Sequence, residues 1–204
     1  MQRDISPATF VQDILRNRSN QRILERWDRL ALPDAWLVAG CLFQTVWNLR
    51  AGAAPDAQIN DYDLFYFDGN DLSAENQQAV QRHADAVLGD IGVQVEAVNQ
   101  ARVHLWYPQV FGHPYPRLAS ARDGLDRFLV LGTCVGVRPA GSGWEVYAPY
   151  GLDLLYDGLL TPNPLVDHGA LFARKAASYQ ARWPWLRIAR GATQPGDPAA
   201  NATA

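Results

Sequence analysis

The stretch 59–67, Ile-Asn-Asp-Tyr-Asp-Leu-Phe-Tyr-Phe, limits the fold more than any other part of the chain. Its second half is continuously apolar and aromatic, the composition of a strand that runs into a protein interior. Its first half carries two carboxylates, Asp61 and Asp63. Side chains two apart on a strand point to one face, so these acids stand side by side at the head of a largely buried element. Taking paired carboxylates out of water is costly unless a cation faces them. Mg²⁺ held by one or two carboxylates together with phosphate oxygens is the usual arrangement.

The rest of the chain supplies companions for that strand. Residues 36–39 form a short apolar run that ends at Gly40 and opens a helix over 41–49, with Leu42, Val46 and Leu49 on one face. Residues 93–98 form a third strand containing Glu96. Between them, the turn 68–71 and a helix from Ser73 to about Leu88 complete a strand–helix–strand unit. Upstream, Ser6-Pro7 starts a helix over 6–17 and a second helix covers 19–30. Downstream, the alternation of Val103, Leu105 and Tyr107 predicts a further short strand or extended piece, and 108–116, with three prolines, reads as irregular. The pattern then predicts a short helix over 119–127, a strand over 128–137 with 144–147 as its hairpin partner, a short helix within 151–160, and a last helix over 167–182 closed by Trp183-Pro184. Helices and strands interleave along the chain, so both helices and a sheet contribute to the fold. Residues 1–190 suit one domain, and 191–204 read as a disordered tail of small residues.

Composition narrows the function classes. The net charge of −3 gives no basic surface for gripping a long nucleic acid. Two distant cysteines, Cys41 and Cys134, make neither a disulfide framework nor a zinc motif, and the four histidines lack ligand spacing. Free thiols, no apolar leader at the start and no run long enough to span a membrane place the protein in the cytoplasm. Lys175 is the sole lysine.

Three elements make the candidate site. Asp61 and Asp63 form the acidic pair. Gly40, at a strand-to-helix junction, presents free backbone N–H groups and the positive end of a helix to an anion. Glu96, flanked by Gln94 and Val98 on its own face, supplies a third carboxylate. Phe172, Lys175, Tyr179 and Arg182 fall on one helix face, which is read first as packing with charged ends reaching solvent. Arg102 and His104, two apart, are further groups within reach of a cleft.

The order 37–41, helix, 60–63, Glu96 resembles the nucleotidyltransferase superfamily of DNA polymerase β and the tRNA CCA-adding enzymes. More closely, 59–68, 99–107, 148–153 and 182–184 are similar to a bacterial family of nucleotidyltransferase-like proteins of unassigned substrate, over about residues 10–188. The resemblance implies an α+β (mixed α/β) nucleotidyltransferase fold, a mixed twisted sheet flanked by helices, and transfer of a nucleoside monophosphate from an NTP to an acceptor: a small molecule, an RNA end or a protein. It implies Mg²⁺ or Mn²⁺ held by Asp61, Asp63 and Glu96, which would also be the catalytic residues. Gly40 and the backbone of Cys41 would contact phosphates, with Arg50, Arg102 or Lys175 supplying the positive charge. Two positions depart from the superfamily pattern. Cys41 stands where a glycine or serine is usual, and Gln44-Thr45 where an Arg-Asp pair follows in the CCA-adding enzymes. These departures motivate an alternative, a catalytically weak or inactive nucleotide- or partner-binding protein on the same fold.

Overall fold

The computed structural model describes residues 5–166 and 169–189. The elements run α1 (Pro7–Ile14), α2 (Arg18–Glu25), α3 (Trp27–Leu30), β1 (Trp36–Val38), α4 (Gly40–Arg50), β2 (Asp61–Tyr66), α5 (Ala74–Leu88) and β3 (Gln94–Asn99). They continue with α6 (Val103–Phe111), α7 (Ala121–Leu125), β4 (Gly136–Ala140), β5 (Gly143–Tyr147), α8 (Asp153–Asp157), β6 (Leu159–Leu160), α9 (Gly169–Arg182) and β7 (Arg187–Ile188). Five strands make a sheet of order β3-β2-β1-β4-β5. Only β2 and β3 pair in parallel, joined by the crossover helix α5; the other neighbours are antiparallel. A second sheet pairs β6 with β7. The expected mixed sheet flanked by helices is what the chain forms.

Local chemistry accounts for the helix starts. The Ser6 hydroxyl accepts from the Thr9 N–H with Pro7 in the first turn, and Asn17 accepts from Ser19 and Asn20. Ser73 accepts from Asn76, and Ser120 with Asp123 forms a reciprocal capping box. Along β2 exposure alternates, so Tyr62, Leu64 and Tyr66 enter the main core with Leu37 of β1 and the inner faces of α1, α4, α5 and α9. The opposite face of the sheet carries a smaller cluster of Trp36, Val38, Ala121 and Leu125, against which Phe65 and Phe128 pack.

Two expectations fail for physical reasons. Residues 103–107 are the start of α6, not a strand. Alternation over five residues also fits a helix, and Asn99 decides the matter by accepting from the Ala101 N–H to begin a helical turn. Pro108 sits inside α6, which ends at Gly112 (φ 74°). Of the expected strand 128–137 only 136 and 137 lie in a strand, β4, which runs on to 140. Gly132 lies so close to α8 that a Cβ there would stand 3.0 Å from the Leu155 nitrogen, and Asn163 Nδ2 donates to the carbonyls of Asp126 and Phe128. Those contacts hold the segment in a tight turn. The predicted tail 191–204 and the first two residues of the helix predicted over 167–182 lie outside the described residues.

Candidate active site

Register brings the carboxylates together. Asp63 is the Cα partner of Val38 on one side and of Glu96 on the other, while Asp61 faces Gln94. Directly paired residues share a sheet face, so Asp61, Asp63 and Glu96 project from the face that carries Trp36, Val38 and Phe65. Asp61 and Glu96 are exposed and Asp63 is half-buried. Burial, then the charges of Asp61 and Glu96, push the Asp63 carboxyl up to about 7, against an opposing pull from Lys175. The site therefore carries more negative charge than its own cations neutralise. Its donors are all carboxylate oxygens, the chemistry that Mg²⁺ and Mn²⁺ prefer. Among the described residues no three His, Cys, Asp or Glu side chains are gathered so that they could hold a metal ion together. A pair of these carboxylates would fit an ion that draws its remaining ligands from phosphate and water.

The junction between β1 and α4 forms the adjacent wall. Its unusual backbone conformation falls on Ala39 (φ 61°, ψ −134°), a region that L side chains rarely adopt. The Ala39 carbonyl accepts from the Leu42 and Phe43 N–H groups, so the amides of Gly40 and Cys41 remain at the open helix end. A Cβ at Gly40 would lie 2.6 Å from Gln44 Nε2, the end of a flexible side chain that would have to shift. The Cys41 side chain turns away from the cleft. It is fully buried, its thiol donates to the Val38 carbonyl, and burial followed by the charge of Asp63 raises its pKa well above the ordinary value. The turn is braced from behind by Asn20, which donates to the Cys41 carbonyl (2.9 Å), and by a buried cluster of Asn17, Thr45 and Tyr62.

Two cavities meet at Asp63. One, of about 410 Å³, is lined by Gly40, Gln44, Asp61, Asp63, Lys175 and Arg182 among others. Two of its lining residues each hold a polar atom that is buried without a hydrogen-bond partner, Gln44 Oε1 and Arg182 Nε. The other arm of Arg182 donates to the Gln58 carbonyl (2.8 Å), just ahead of β2. The second cavity, of about 700 Å³, extends from Asp63 over Glu96, and Phe65, Trp106, Tyr107, Phe111, Tyr115 and Phe128 are among its lining residues. Arg127 lines both, its guanidinium 5.6 Å from the Tyr115 ring centre.

A nucleotidyltransferase family model matches residues 25–188, most of the chain. The protein belongs to this nucleotidyltransferase family. Its fold is also that of a solved structure described as revealing a CCA-adding enzyme head domain. The TM-score is 0.74 at 24% identity, over 90% of this chain and 96% of that one. No curated protein matches the chain at a significant level.

In this member of the family, then, the structure brings Gly40, Asp61, Asp63 and Lys175 to one cavity and Glu96 to its neighbour. Arg102 stays outside both, because its Nε donates to the Leu72 carbonyl (2.8 Å) beside the crossover. His104 lies with it on the first turn of α6. Arg50 packs over the Trp185 ring. The cations that do reach the cleft are Lys175, Arg127 and Arg182. Arg182 belonged to the stripe read as packing; Phe172 and Tyr179 of that stripe are indeed buried in the core, while the two charged members reach the cavity. Arg127 closes a short helix before an apolar run, and no spacing in the sequence marks it.

Among the described residues, no helix is long and apolar enough to cross a membrane.

Proposed function

We propose that the protein transfers a nucleoside monophosphate from an NTP to an acceptor hydroxyl, with Mg²⁺ or Mn²⁺ held by Asp61 and Asp63 and completed by Glu96. The observation that carries this reading is the three carboxylates on one sheet face beside a cavity lined by three cationic side chains, Arg127, Lys175 and Arg182. A bound divalent ion would neutralise the carboxylates and polarise the phosphoryl oxygens.

The chain's own groups divide the remaining work. The open N–H groups of Gly40 and Cys41 and the positive end of α4 receive β- and γ-phosphate oxygens. Lys175 adds a point charge, and Arg182 offers the unpartnered Nε–H to a further oxygen. As the acceptor oxygen bonds to the α-phosphorus, the bond to the oxygen bridging the α- and β-phosphorus atoms breaks. Pyrophosphate leaves with that electron pair, and the acceptor proton passes to the Glu96 carboxylate. Preorganised charge and positioning supply the rate enhancement.

The test is incubation with labelled NTPs and Mg²⁺ or Mn²⁺ in cell extract. A labelled product and metal-dependent pyrophosphate are expected from wild type and not from Asp61→Ala. Nucleotide binding without pyrophosphate release under any of these conditions would instead point to a non-catalytic binding protein.

A further inference from the structure

The two cavities differ sharply in chemistry. The smaller carries Lys175 and Arg182 and the open end of α4. The larger has Glu96 and Asp63 on its floor and Phe65, Trp106 and Tyr115 of its own; it shares Tyr107, Phe111, Phe128 and Arg127 with the smaller and also carries Gln100 and His113. Phe65 and Phe128 meet edge to face at 5.7 Å. Tyr107 stacks against Phe111 at 4.5 Å and Tyr115 at 4.4 Å, with Trp106 beside them. Phe111 and Leu165, at its rim, remain 45% and 53% exposed, so the mouth is apolar too.

In-line displacement places the attacking oxygen opposite the leaving group. With the β- and γ-phosphates drawn into the cationic cavity and the α-phosphorus over Asp61 and Asp63, attack comes from the aromatic side, where Glu96 stands. A second polyphosphate or an RNA strand meets carboxylates there and lacks the basic track that phosphate backbones require. A volume of about 700 Å³ suits a small molecule. Resting on the transfer reading above, we propose that the aromatic cavity is the acceptor site and receives a small hydroxyl-bearing molecule built on a flat aromatic ring without negative charge.

The experiment uses the full chain and measures binding of indole-3-ethanol and 4-hydroxyphenethyl alcohol by titration calorimetry and saturation-transfer NMR. Glucose and a short oligoribonucleotide with a free 3′-hydroxyl serve as comparisons. α,β-Methylene-ATP with Mg²⁺ is titrated separately, and thermal unfolding reports its binding. The two ring alcohols should bind at least tenfold more tightly than glucose and should still bind when the nucleotide analogue is saturating. Trp106→Ala and Val98→Phe should each weaken ring binding at least tenfold. The first removes a wall and the second fills the cavity from β3. Neither residue lines the cationic cavity, so the thermal shift by the analogue should persist in both and report that the variants are folded. Ring alcohols that bind no better than glucose while the analogue still stabilises the protein overturn this inference and leave the transfer reading standing. Competition between ring alcohol and analogue overturns it by assigning the cavity to the nucleobase, and tight oligoribonucleotide binding overturns it in favour of an RNA end. Ring binding with no stabilisation by the analogue overturns the acceptor role together with the transfer reading.

Discussion

Replacing Asp63 by asparagine should stabilise the metal-free protein, and by an amount that depends on pH. Asparagine keeps the shape of the side chain and removes its charge. In the folded chain the Asp63 carboxyl is raised from its ordinary 3.8 to about 7. Each tenfold change in proton affinity is worth about 1.4 kcal/mol, so ionising this group in the fold costs about 4 kcal/mol relative to the unfolded chain. The folded state holds the proton more tightly, so protonation favours folding. The stabilising term is fully present below pH 3.8, declines as pH rises, and is gone above about 7. Urea unfolding with a chelator present, on wild type and Asp63→Asn from pH 4 to 8, isolates this group from the other titrations. The two proteins should be nearly equal at pH 4. The variant should gain about 1.4 kcal/mol per pH unit above that and lead by about 4 kcal/mol at pH 8, roughly 10 °C in Tm for a chain of this size. Saturating Mg²⁺ and ATP should reverse the order, because only wild type keeps the carboxylate that binds them. A stability difference that stays constant from pH 4 to 8, or a variant less stable at pH 8, would refute the electrostatic account of the site.

Three further outcomes are expected. Lys175→Met removes the cation that opposes the upward shift of Asp63, so the pH midpoint of the difference above should rise; loss of a charge-assisted contact worth about 1.5–3 kcal/mol should weaken Mg²⁺–ATP binding roughly ten- to hundredfold by calorimetry. Because Lys175 is exposed, its stability should change by no more than about 0.5 kcal/mol. Ala39→Gly relieves the φ of 61° and should raise stability by about 1 kcal/mol, relief of strain being partly offset by the freer unfolded chain; unchanged urea unfolding would count against strain at that turn. Gly132→Ala places a methyl 3.0 Å from a backbone nitrogen of α8 and should destabilise by about 1–3 kcal/mol in the same assay.

Much of the architecture was legible because its determinants are local. The helices capped by Ser6 and Ser73 and the strand of 59–67 follow from periodicity and from single side chains that bond to their own backbone. The shared face of Asp61 and Asp63 follows from the two-residue repeat of a strand and needs no other part of the chain. Residues 103–107 read as a strand because five residues satisfy either period, and Asn99, outside the alternating run, decides for the helix that runs on to 111.

Pairings between distant segments were not legible. That Glu96 lies level with Asp63, and not with Asp61, is a matter of strand register, which the hydrophobic pattern limits to the right face but not to the right step. The strained residue proved to be Ala39, not Gly40, because the turn is set by where β1 meets α4 and by the side chains that hold α4 from behind. Arg102 looked nearer to Glu96 than any other cation, yet a backbone carbonyl across the fold holds it away. Lys175 and Arg182 reach the acids from more than a hundred residues downstream because α9 buries Phe172 and Tyr179 in the common core and carries them along. The sequence by itself thus determined which strand bears the acids and which way they face. Only the tertiary structure decided which cations answer them and that aromatic rings lie beyond, since those depend on packing between elements that share no local pattern.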